Sequence, residues 1–115
     1  MAFKFGLDSV LKHRKRLEDL AQREFAEAQA AVDAILGRLE QMYLRMDEVR
    51  VEISSAEKTS GRDAIAAVCE MNAFLRGHKV RIEGVRQEAR LLLAESEAKQ
   101  EALIFAAREK KVLVK

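Results

Sequence analysis

The chain has 115 residues, enough for one domain, with no proline, five glycines and 5% aromatic residues. Charged residues make up 35% of it, yet the formal net charge is only +2. That balance excludes a β-rich fold, which needs β-branched and aromatic runs bounded by turn residues, and it argues against a multilayer globule. Cys69 is the single cysteine, so no intramolecular disulfide can form, and no apolar stretch approaches the roughly 20 residues that cross a bilayer. The start, Met1-Ala2-Phe3-Lys4-Phe5, lacks the apolar core of a secretory signal, and a cytoplasmic protein is expected.

In chain order, Phe3, Phe5 and Leu7 alternate with polar or small residues and predict a short extended lead-in. A first helix is expected over about 8–57, with Asp8 or Ser9 accepting from the unpaired amides of its first turn. Its heptad seam runs Leu7, Leu11, Arg14, Glu18, Ala21, Phe25, Ala28, Val32, Ile35, Leu39, Met42, Met46, Val49, Ile53, Ala56. Steps alternating between three and four residues keep one stripe on a single face, the pattern of a coiled coil. A turn is predicted over about 58–63, where Gly61 permits a reversal and Ser60 and Asp63 have the spacing of a capping box.

A second helix is expected over about 64–113, with the seam Ala64, Val68, Met71, Leu75, His78, Ile82, Val85, Ala89, Leu92, Ser96, Lys99, Leu103, Ala106, Lys110, Leu113. Neither stripe can bury itself alone, so two stripes joined by a short turn predict an all-α fold: two long helices in an antiparallel coiled-coil hairpin, as a single domain. A parallel dimer of continuous helices is the rival arrangement, and Gly61 beside a cap argues against it. With the reversal centred near residue 60, Lys12 is expected level with Arg108 and Met42 level with His78. Residues 1–16 carry a net +4 and residues 108–115 a net +3, leaving −5 between them. A hairpin therefore brings the two basic segments together at its open end.

The cations there are Lys12, Arg14, Lys15, Arg16, Arg108, Lys110 and Lys111. They suit nucleic acid, anionic lipid, an acidic protein surface, or simply a solvated end. Protein is favoured, because DNA-binding basic regions extend over several helical turns and no aromatic platform for bases accompanies this cluster. Met42, Tyr43 and Met46 fall level with Phe74 and His78; most belong to the core, but adaptable methionines flanked by aromatics also make a docking surface. His13 and His78 lie far apart, no Cys or His has metal-ligand spacing, and Cys69 has no evident base beside it. Without a phosphate-binding glycine loop or an enclosed pocket, the expectation is a binding protein with no catalytic residues, cofactor or metal.

The opening Phe3-Lys4-Phe5-Gly6-Leu7-Asp8-Ser9-Val10-Leu11, followed by Arg14 and Arg16, resembles the start of the flagellar FliJ family. So do the closing Ala107-Arg108-Glu109-Lys110-Lys111-Val112-Leu113 and the stretches Phe74-Leu75-Arg76 and Ile82-Glu83. The resemblance implies a two-helix component of the flagellar type III export apparatus, acting as a central stalk and adaptor. It implies as partners the export ATPase ring, the cytoplasmic domain of the export gate and export chaperones, at the inner face of the membrane. On this resemblance the basic end faces the ATPase, and the surface around Met42, Tyr43, Met46, Phe74 and His78 is the gate-facing candidate. It also implies a further charged helical stretch beyond Lys115, as family members usually have. Competing readings are the equivalent stalk of a virulence secretion system and a nucleic-acid-associated coiled coil. A membrane-surface helix is a weaker rival, since the apolar stripe is already committed to the partner helix.

Overall fold

A computed structural model describes residues 2–59 and 61–114, with side-chain surroundings for 6–59 and 61–112. Two helices form the fold, α1 (Ala2–Glu57) and α2 (Arg62–Val114), and they run antiparallel as a helical hairpin. Among the described residues there is no strand. The expected extended lead-in is helix instead, and α1 begins at Ala2 rather than near Asp8. Over so few residues alternation and helical spacing cannot be told apart: Phe3, Leu7 and Val10 also stand at i, i+4 and i+7. An extended segment without a partner strand leaves its amides unpaired, whereas helix satisfies them locally. The side chains of Phe3, Phe5 and Leu113 lie outside the described residues, as does Ser60.

The reversal is short. At the end of α1 the Lys58 amide donates to the Ser55 carbonyl and the Thr59 amide to that of Ala56, at 3.3 and 3.1 Å. The Thr59 hydroxyl donates to the same Ala56 carbonyl at 2.7 Å. These three-residue bonds tighten the last turn and satisfy carbonyls that have no partner further along. Gly61 then takes a φ of 135°, a backbone conformation that side-chain-bearing residues rarely adopt. Its carbonyl accepts the Ile65 amide at 3.2 Å, so Gly61 itself occupies the cap position of α2.

The hairpin comprises two compact units: a turn unit, residues 34–90, and a terminal unit, residues 1–33 with 91–115. In the turn unit, Met46, Val49, Leu75 and Ile82 form one buried cluster. Leu39, Met42, Ile53 and Met71 pack against it, and Ile35, Val85, Ala89 and His78 are buried too. All of these come from the two predicted seams. Burying an aliphatic side chain of this size stabilises by about 1.5–3 kcal/mol, and this single layer is where the turn unit gains it.

In the terminal unit only Val32 and Ser96 are buried; the other described seam residues are half-buried except Leu7, which is exposed. Small and charged residues fill this seam: Arg14, Glu18, Ala21 and Ala28 on α1, and Ser96, Lys99, Ala106 and Lys110 on α2. Met42 stands level with His78 as expected, but within this unit the register differs from expectation. Arg14 reaches Glu109 and Glu18 reaches Lys110, so Arg108 stands opposite the turn holding Arg14 to Glu18, not opposite Lys12.

Seam and surface positions should therefore respond differently to the same truncation. Ile82→Ala, at a buried position, is expected to cost about 2–4 kcal/mol. Val80→Ala, two residues away and 73% exposed, should change stability by less than about 0.5 kcal/mol. Urea unfolding followed by circular dichroism measures both.

Candidate functional site

The cations predicted to gather do so within the terminal unit, but two of them are engaged there. Arg14 Nη2 lies 3.8 Å from Glu109 Oε2, and Lys110 Nζ lies 3.3 Å from Glu18 Oε2. Both pairs cross between the helices, so Arg14 and Lys110 help to hold the unit together. Lys12, Lys15, Arg16, Arg108 and Lys111 are exposed, and among the described residues none has an ion pair within 4 Å. These five form the accessible positive surface. It lies on the outer turns of both helices, where exposure to water keeps the charge available to an anionic partner.

The rest of the polar seam is paired as well. Ser96 Oγ donates to Gln29 Oε1 at 3.1 Å, and Lys99 Nζ donates to Glu24 Oε2 at the same distance. No buried side-chain nitrogen or oxygen among the described residues lacks a partner. Each exposed ion pair contributes no more than about 1 kcal/mol, because water and salt screen it. Together they fix alignment: a slip along the seam would set like charges against each other or strand Ser96 among apolar atoms.

In the turn unit, the residues proposed for a partner divide by burial. Met46 and His78 are buried and Met42 is half-buried, so these three are chiefly packing residues. Tyr43 and Phe74 are exposed, at 43% and 37%. His78 Nε2 donates to the Met42 carbonyl at 2.8 Å, which joins the two helices and accounts for a histidine in an apolar seam. With its proton on Nε2, Nδ1 can accept from Arg81 Nη2 at 3.5 Å. Phe74 stacks on the His78 ring, with centroids 5.1 Å apart and planes 20° from parallel.

Two residues that the sequence reading passed over complete this patch. The guanidinium carbons of Arg45, from α1, and Arg81, from α2, lie 5.7 and 5.6 Å from the Phe74 centroid. Cation–π attraction at such distances holds both arginines beside the ring. Arg81 was legible in principle, since it stands three residues after His78 and seven after Phe74, on the same helical face. Arg45 comes from the other helix, and the expected register, which sets Met42 level with His78, brings it level with Phe74. The result is an exposed aromatic edge flanked by Arg81 and by Arg45, the latter ion-paired with Glu48 at 3.1 Å and Glu52 at 3.6 Å. Arg81 is therefore the cation left to meet an acidic segment carrying an apolar side chain.

Cys69 is exposed and free. Among the described residues no cluster of three or more His, Cys, Asp or Glu is placed to hold a metal ion, and no helix is long and apolar enough to cross a membrane.

The model of the family described as "Flagellar FliJ protein" matches residues 3–115. The chain belongs to the FliJ family. Members are non-enzymatic components of flagellar protein export, and this chain is a flagellar export-associated protein. No curated protein and no solved structure matches it. The paired seam and the two exposed surfaces are thus features of an export component.

Glu24 and Lys99 offer a direct check on the polar seam. Lys99→Glu should destabilise the chain by setting two carboxylates together, and adding Glu24→Lys should recover most of the loss. The coupling expected in urea titrations is about 0.3–1 kcal/mol at low salt, shrinking as ionic strength rises.

Proposed function

We propose that this FliJ-family chain acts as the stalk and adaptor of the flagellar export apparatus. Its terminal unit seats in the export ATPase ring, and the exposed Tyr43 and Phe74 meet the cytoplasmic domain of the export gate. It also assists export chaperones, and it works in the cytoplasm against the inner face of the membrane. The observation that carries the reading is the segregation of the two surfaces. Among the described residues, five of the seven cations expected at the open end have no ion pair and lie in the terminal unit, and an aromatic flanked by Arg45 and Arg81 lies in the turn unit.

Each surface suits a different kind of contact. Exposed lysines and arginines steer a charged element towards an acidic rim over several ångströms, with tolerance for orientation and a strong dependence on salt. The Phe74 edge offers a compact apolar contact with defined geometry, and Arg81 rewards a carboxylate placed beside it, Arg45 being already paired with Glu48 and Glu52. A two-helix hairpin with satisfied backbone groups presents both without needing to refold.

The test reverses the cations that have no structural partner. Lys12→Glu, Lys15→Glu, Arg16→Glu and Arg108→Glu together should weaken binding to the purified export ATPase at least about tenfold at low salt. Helicity should be unchanged. Phe74→Ala should instead lower affinity for the gate's cytoplasmic domain and leave ATPase binding intact. A helical quadruple variant that binds the ATPase normally would refute the terminal unit's assigned role.

A further inference from the structure

The terminal unit carries a second surface, apart from the basic cluster and set against the edge of the seam. A hollow of ≈ 350 Å³ opens on one flank, lined by Glu24, Glu27, Ala28 and Ala31 of α1 and by Glu95 and Lys99 of α2. Its floor is alanine because the seam here is built of small residues, Ala28 and Ser96, which leave room beside them. Its rim is acidic. Lys99 neutralises Glu24, whereas among the described residues Glu27 and Glu95 have no ion pair within 4 Å.

The same flank turns apolar one heptad along. Seven residues back from Glu24 and Glu27 stand Leu17 and Leu20, which are 38% and 48% exposed. Seven residues on from Glu95 along the antiparallel α2 is Ala102, followed three residues later by Phe105, 64% exposed. A heptad shift returns to the same side of a coiled-coil helix, and the opposite directions of α1 and α2 carry both shifts the same way. The flank therefore reads as an acidic, alanine-floored hollow continued by exposed leucines and a phenylalanine.

We infer that this flank is a docking groove for a third helix, a partner's amphipathic segment carrying arginine or lysine at one turn and large apolar residues about a heptad away. The basic side chain lays its aliphatic stem over Ala28 and Ala31 and brings its charge between Glu27 and Glu95. The apolar residues cover Leu17, Leu20 and Phe105. A helix is the occupant because the groove offers features at heptad spacing, and because both walls have their backbone groups paired within their own helices, leaving no edge for a strand. Charge selects the partner: an acidic helix would face uncompensated carboxylates. The inference concerns a different face from the five exposed cations and does not depend on the ATPase assignment.

The experiment titrates the full chain with a fluorescent three-heptad helical peptide, leucine at its a and d positions and arginine at e and g, at physiological salt. A matched peptide with glutamate at e and g is the comparison. The groove predicts saturable binding of the arginine peptide alone. Binding should weaken about tenfold or more in Glu27→Lys/Glu95→Lys and in Phe105→Glu, all at exposed positions, so helicity is kept. Glu40→Lys/Glu97→Lys makes the same charge change on other surfaces and should alter binding less than about twofold. Equal weakening by both double variants would reduce the effect to bulk attraction and overturn the proposal. So would equal binding of the two peptides, or no loss in Phe105→Glu. Sedimentation of the chain alone completes the test: a dimer abolished by Glu27→Lys/Glu95→Lys would make a second copy the occupant and overturn the assignment to a partner protein.

Discussion

The structure depends on two apolar stripes that can be buried only against each other. Neither helix has another layer to pack on, so each seam residue gains its burial from the facing helix alone. Isolated helices are marginal in water, and most helical stability in proteins comes from packing an amphipathic face. Here that packing is one layer thick. It follows that α1, α2 and the reversal between them stabilise one another, and that Gly61 matters because it lets the chain turn back within a few residues.

The two units use this constraint in different ways. In the turn unit the seam is aliphatic, with His78 tied by its ring nitrogen to the Met42 carbonyl on the other helix. In the terminal unit the seam is interrupted by polar residues, and Arg14, Glu18, Ser96, Lys99 and Lys110 each find a partner across it. Apolar burial supplies more stability per residue, while paired charges supply alignment. Committing each seam inward leaves the outer faces free to carry function. The exposed cations, the Phe74 edge and the Glu27 and Glu95 rim of the acidic hollow all lie off the seam, where a change of residue alters recognition with little effect on folding.

Much of this was legible in the residues. The alternation of three and four residues located nearly every buried position, including His78 and Ser96, which composition alone would have assigned to the surface. Gly61 located the reversal. The early start of α1 was not legible, because five residues of alternating character fit helix and strand equally well. The register held in the turn unit, where Met42 meets His78, and was missed by a few positions in the terminal unit, since counting from the turn ignores how side chains lean along a helix. That shift hid the pairing of Arg14 with Glu109 and of Lys110 with Glu18, so two structural residues were grouped with the docking cations. Arg45 was within reach of the expected register, which sets it level with Phe74, but its place beside the ring had not been drawn from it. Burial separated Met46 and His78 from Tyr43 and Phe74, a distinction that seam membership had already implied.

The central claim is that one chain folds back on itself with the two stripes aligned. The direct measurement is an electron–electron distance between spin labels at positions 20 and 104, introduced in a Cys69→Ser background and diluted with unlabelled chain. Facing helices lie about 8–10 Å apart, so a narrow short-range distance is predicted that persists on dilution. A distance that vanishes as unlabelled protein is added would mean that the stripes meet between molecules, and would contradict the hairpin.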